Sequence, residues 1–168
     1  MNGLGLAALA AMRTAMLGIT ALGAAVVPAG AQETVSIAVP PAVSFSVTDV
    51  TRSTTGVPDP TRISFSTAIL LPGKSLRVSV QADAANFTPP NGAGIPVAKV
   101  SWTVAGASGG TGWNGALSSS SYALVFQSNP ITVSGYVDLA WSLAAPGSGI
   151  RAGVHQLTVR WKVESITP

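Results

Sequence analysis

Val137-Asp138-Leu139-Ala140-Trp141-Ser142-Leu143 and, nearer the C-terminus, Leu157-Thr158-Val159-Arg160-Trp161-Lys162-Val163 share one pattern: a large apolar residue at every second position. A period of two puts successive side chains on opposite faces of an extended strand, so each stretch has one face for a core and one for water. Helical spacing, with apolar residues meeting every three or four positions, is hard to find in this chain. Toward the N-terminus the alternation recurs in Tyr122, Leu124 and Phe126; in Val100, Trp102 and Val104; in Leu76, Val78 and Val80; and in Ile63 and Phe65. Val43, Phe45 and Val47, then Val35, Ile37 and Val39, complete the series. About eight half-buried strands with Ser and Thr on the alternate positions predict an all-β fold, a single antiparallel β-sandwich.

The breaks between these runs carry turn chemistry. Pro72-Gly73 fits the middle of a type II turn, with proline fixing φ and glycine accepting a positive φ, and predicts a hairpin joining residues 63–70 to residues 76–81. Pro146-Gly147 opens a similar, longer connection over residues 145–153. Residues 68–81 and 143–161 thus share an order of apolar strand, Pro-Gly, basic residue and Leu-x-Val, a faint internal echo. Residues 51–60, 87–96 and 106–121 are too long and too rich in Pro, Gly or Ser for tight turns. Gly109-Gly110-Thr111-Gly112 has no helix after it and is expected to be a flexible loop rather than a phosphate cradle.

The N-terminal part is of another kind. In residues 1–31 the only charge is Arg13, which precedes an apolar run over residues 15–27 and then Pro28-Ala29-Gly30-Ala31. A short basic start, an apolar centre and a small-x-small site are the pattern of a secretory signal peptide, with cleavage expected after Ala31 and Gln32 as the new N-terminus. The run is shorter than the roughly 20 residues that span a bilayer, so no membrane span is expected in the mature form. Met12 is an alternative start. Residues 32–168 then form one domain, large enough for a single core.

Composition narrows the function. Only 9% of the residues are charged, and in residues 32–168 eight basic side chains, scattered rather than clustered, face six acidic ones. No nucleic-acid partner is expected from so weak a field. The chain has no cysteine, which removes disulfides, thiolate metal sites and thiol nucleophiles. Its one histidine, His155, is in phase with Leu157 and is expected at the inward rim of the last strand. Glu33, Asp49, Asp59, Asp83, Asp138 and Glu164 are spread so widely that nothing marks a catalytic pair or a calcium loop. Asp138, out of phase with Val137 and Leu139, should face solvent. Asn86-Phe87-Thr88 matches the N-glycosylation triplet by coincidence. Neither catalysis nor a metal or cofactor is expected.

Trp102, Trp141 and Trp161 are in phase with the apolar faces of their strands and are expected in the core. Trp113 stands apart, in Thr111-Gly112-Trp113-Asn114-Gly115, where it either stacks on a sugar ring, with Asn114 beside it, or folds back as a lid. The C-terminal stretch Ala152-Gly153-Val154-His155-Gln156-Leu157-Thr158-Val159-Arg160-Trp161-Lys162-Val163 resembles the closing strand of WxL-type cell-surface domains. Trp102-Thr103-Val104 is similar to that family's earlier Trp-x-hydrophobic motif, with Val in place of Leu at both positions. The general appearance is also similar to secreted bacterial Ig-like, pilin-like and spore-coat-like sandwiches. The WxL resemblance implies non-covalent attachment to peptidoglycan. Two readings follow: a secreted, non-catalytic surface or envelope module with peptidoglycan or other polysaccharide as partner, extracellular or periplasmic, or a self-assembling subunit. In the second, Val35, Ile37 and Val39 form a donor strand set off by Pro40-Pro41.

Overall fold

The computed structural model describes residues 6–12, 33–89, 93–150 and 153–168. The expected leader run 15–27, its cleavage site, Gln32 and Ala152 lie outside the described residues. Twelve strands fall into two sheets. Sheet A holds β1 (Leu6–Met12), β3 (Ala42–Val47), β6 (Ser75–Ala82), β8 (Gly110–Gly112), β10 (Ala123–Ser128) and β12 (Val154–Ile166), in the order β3-β1-β12-β6-β10-β8. Sheet B holds β2 (Thr34–Ala38), β5 (Thr61–Ile69), β7 (Val100–Ser108), β9 (Gly115–Ala116) and β11 (Gly135–Leu143), in the order β2-β5-β11-β7-β9. The short β4 (Thr54–Thr55) also pairs with β11. All pairings are antiparallel except β1 with β12.

The eight strands expected from the alternation are β2, β3, β5, β6, β7, β10, β11 and β12. Their apolar positions meet in one shared core: Val43, Phe45 and Val47 from β3, Val137, Leu139, Trp141 and Leu143 from β11, and Leu157, Val159 and Trp161 from β12 are all buried. Trp141 lies directly opposite Trp102 across the β11–β7 ladder, with ring centroids 5.2 Å apart and planes tilted by 51°. Each indole keeps its N–H satisfied inside the fold. Trp102 Nε1 donates to the Trp113 carbonyl at 2.8 Å, and Trp141 Nε1 donates to Thr61 Oγ1 at 2.7 Å, whose hydroxyl donates on to the Leu139 carbonyl. Buried indole N–H groups without such partners would cost the free energy of a lost hydrogen bond.

The expected hairpin at Pro72-Gly73 is not formed. The turn itself is there, with Gly73 at φ 78° and Lys74 N donating to the Leu71 carbonyl at 3.0 Å. It carries the chain from β5 in sheet B to β6 in sheet A, so the two strands never pair. The connection from β11 to β12 makes the same passage. The internal echo is therefore a structural one: β5 pairs with β11 in one sheet, and β6 pairs with β12 in the other. Alternation reports which side of a strand is apolar, and a strand that turns back within its sheet looks the same by that measure as one that crosses over.

Two further expectations are corrected. Gly109-Gly110-Thr111-Gly112 is not a loose loop, since Gly110–Gly112 is β8 on the edge of sheet A. A Cβ on Gly112 would come within 2.9 Å of the side chains of Val104 and Val137, so glycine is what lets this strand lie close over its neighbours. In β10 the phase changes at a register shift between Leu124 and Phe126. Val125 and Phe126 are both buried, whereas Tyr122 is exposed, its ring 5.6 Å from Lys162 Nζ. A bulge turns two successive side chains toward the core, which no strict period of two can anticipate.

The Trp pair joins β7 and β11 in the middle of sheet B. Trp141→Ala should lower the unfolding free energy by about 3–5 kcal/mol, and Trp141→Phe by less, because Thr61 can still donate to Leu139. Urea unfolding midpoints at unchanged slope would check both.

Candidate functional site

The sequence pointed to Trp113 and Asn114, and the structure fixes both at the turn between β8 and β9. Trp113 N donates to the Val125 carbonyl at 2.9 Å, so the turn is tied to β10; its carbonyl accepts the Trp102 indole, tying it to β7. Asn114 Oδ1 accepts the backbone N–H of Val104 at 2.8 Å. On the far side Gly115 sits so close to Trp102 that a Cβ there would be 2.5 Å from Cζ2. The backbone is thus pinned at both ends while the Trp113 side chain remains 37% exposed. Asn114 spends its oxygen inside the fold, leaving its amide nitrogen as the group that could meet a ligand. The arrangement can present one aromatic face at low entropic cost, because the turn is ordered before anything binds.

The other assembly candidates, Val35, Ile37 and Val39, lie in and just after β2, which pairs with β5 at the outer edge of sheet B. Val35 is exposed, while Ile37 and Val39 are half-buried against the core. β2 therefore pairs within its own chain, with four of its five residues exposed.

The titratable groups are built into the fold. His155 is fully buried on the inward side of β12, as its phase predicts. Asp138 lies on the outer face of β11 opposite Arg62 of β5, and the two form a paired contact at 2.7 and 2.8 Å. The guanidinium also stacks over Tyr136, 3.9 Å from the ring centroid. Hydrogen bonding to Arg62 holds the Asp138 carboxyl below its ordinary value of 3.8. Glu33 accepts the backbone N–H of Leu71 and the hydroxyl of Ser165, both at 2.9 Å, and the first of these does most to keep its pKa low. Asp49 caps Thr51, Asp83 pairs with Arg160, and Glu164 pairs with Lys162 at 2.7 Å. Among the described residues no group of three His, Asp or Glu side chains could hold a metal ion. In Asn86-Phe87-Thr88 the middle residue is buried and Thr88 is bridged to Gln156 on β12.

One surface feature escaped the sequence reading. Ile69, Leu71, Ile131 and Val133 are exposed and line a shallow apolar groove of about 390 Å³ at one end of the fold. Ile131 is 89% exposed at φ 68°, a left-handed conformation that β-branched residues avoid. The available signal was Pro130-Ile131-Thr132-Val133, apolar residues in a connection outside any strand.

The Arg62–Asp138 pair sets a pH dependence. A carboxyl whose folded pKa is depressed contributes stability above its unfolded pKa, and loses it as pH falls through the folded value. The stability advantage of the parent over Asp138→Asn should be full above the ordinary carboxyl range and be lost as pH falls below it, a modest effect because Arg62 is largely exposed. Urea titrations of both proteins across that range would read it. Compared with protein-family models and with curated proteins, the chain matches none.

Proposed function

We propose that residues 1–31 are a signal peptide, and that residues 32–168 form a single Ig-like β-sandwich working as a non-catalytic structural or binding module at the cell surface or envelope. The observation that carries this reading is Trp113: an aromatic side chain held out on a turn whose backbone groups and neighbouring side-chain oxygen are all used to fix it. A half-exposed indole on a stiff turn suits stacking on a sugar ring, the contact expected of a peptidoglycan or polysaccharide binder. The ionisable groups support a non-catalytic role, since Glu33, Asp49, Asp83, Asp138 and Glu164 each serve a cap or an ion pair. Trp102 and Trp161, which carry the resemblance to WxL-type domains, are buried, so attachment of that kind would have to use other residues.

A second reading, a pilin-like or coat-like subunit that assembles through residues 34–39, is favoured by β2 being an edge strand with four of its five residues exposed. The two readings place the protein outside the cytoplasm alike.

Binding is tested by pull-down of the protein on purified peptidoglycan and on insoluble polysaccharide, beside Trp113→Ala. The variant should keep a urea midpoint close to the parent, and its affinity should fall roughly tenfold, equivalent to about 1.4 kcal/mol for one lost aromatic contact. An unchanged bound fraction removes Trp113 from the function.

A further inference from the structure

The position of β1 in sheet A has a consequence for the processed chain. Leu6–Met12 runs between β3 and β12, with six register partners on each: Leu6 to Ala11 against Val47 to Ala42, and Ala7 to Met12 against Val154 to Val159. Among the described residues β3 is joined to sheet A through β1 alone, and on its other edge Ser44 forms an isolated bridge with Val57. Yet Val43, Phe45 and Val47 of β3 are among the most buried residues of the protein. If residues 1–31 are removed on export, or if translation starts at Met12, that strand goes with them. Two core strands are left with facing edges one strand-width apart, and the backbone N–H and C=O groups along both have no partner.

We propose that this slot between β3 and β12 is filled in the processed protein by residues 34–39 of a second copy of the chain. The inference rests on the signal-peptide reading and deepens the assembly reading. By register, β1 runs between Val47, Phe45 and Val43 of β3 and His155, Leu157 and Val159 of β12, all of them buried. An occupant must therefore offer small or apolar residues at alternate positions, and Val35, Ile37 and Val39 do so. Leaving home costs residues 34–39 little, since in β2 only Ile37 is half-buried, and β5 keeps its ladder to β11.

The chain's own residues 34–39 are kept from its own slot by Pro40-Pro41. To lie antiparallel beside β3 they would need a two-residue hairpin loop at those positions. Such loops require a positive φ at their first residue, and proline is locked near −65°. Residues 34–39 instead lie on the edge of sheet B beside β5, from which they can reach a neighbour. Insertion of each copy into the next is a head-to-tail contact that does not close on itself, so the product is an open chain of subunits.

The absence of native cysteine gives a clean test. Ser36→Cys places a thiol on the donor strand; Ser44→Cys or Ser46→Cys places one on the outward side of β3. The full chain carrying each single substitution is expressed in an exporting bacterium, and the exported proteins are mixed, unfolded, refolded together and oxidised. Intact mass identifies the N-terminus. With Gln32 first, disulfide-linked pairs of a donor-strand and a β3 variant are expected in the mixture and not in refolded mixtures of Ser44→Cys with Ser46→Cys. Ladders of higher oligomers seen for the parent should be lost when residues 33–39 are deleted. Proteins that begin at Gln32 yet stay monomeric, or that hold a strand of another protein in the slot, overturn the proposal. Chains that still begin at Met1 and stay monomeric overturn the signal-peptide reading beneath it, and the mass separates that failure from the first.

Discussion

Hydrogen bonds in both sheets close only between segments far apart in the sequence. From β5 to β12 the chain changes sheet at every step, and among the described strands no two consecutive ones pair with each other. The two sheets are therefore interleaved along the chain, and the passages from β5 to β6 and from β11 to β12 are two of the points on which that depends. A chain leaving one sheet for another exposes backbone groups that a hairpin would have paired. At both, a charged side chain from another part of the chain meets such a group. At the first, Glu33 accepts the N–H of Leu71. At the second, Lys99 Nζ donates to the carbonyls of Ala145 and Pro146 at 2.6 and 3.0 Å. Non-local pairing pays its loop-closure entropy before any contact repays it, so the apolar core must be large for the fold to hold.

The Trp102–Trp141 pair is where that core reaches the surface. Trp141 ties β11 to β5 through Thr61, and Trp102 ties β7 to the turn at Trp113 through its indole N–H. The exposed ring of Trp113 is thus one hydrogen bond removed from the centre of the molecule. Gly112 and Gly115 belong to the same construction: a side chain on either would collide with Val104 and Val137 or with Trp102. A segment that reads as a loose Gly/Ser stretch is instead the place where backbone packs most closely on side chains.

Side-chain period made the strands legible, and their inward faces with them: the phase of Leu157, Val159 and Trp161 placed His155 inside, and that of Val137 and Leu139 placed Asp138 outside. Partnership was not legible. Nothing local to Asp138 names Arg62, which faces it only because β5 and β11 pair. Pro72-Gly73 encodes a reversal of direction and is silent on which sheet receives the chain. Val125 was lost to a bulge, and β8 was lost to glycines whose reason lies in Val104 and Val137 across the fold. The strand Leu6–Met12 was hidden for a different reason: a run of Leu and Ala suits a leader as well as a strand.

Edge strands in stable proteins are commonly guarded by charge, by proline or by being short. β8 and β9, at the ends of their sheets, have three and two residues. β12 carries Arg160, Lys162 and Glu164 in its C-terminal part, beyond the last residue that pairs with β1. Its first part, from Val154 to Val159, has no Lys, Arg, Asp or Glu, and neither does β3 from Ala42 to Val47. Where they border β1, these two strands each offer six residues without Lys, Arg, Asp or Glu, and only the pairing with β1 covers the edges they turn toward each other. A pair of long, uncharged edges facing a single strand position is costly for a chain that stays alone, because it invites pairing with any extended segment. It is well suited to a chain whose partner strand arrives from outside, and Pro40-Pro41 stands at the one point where the chain could otherwise have folded back to supply that strand itself.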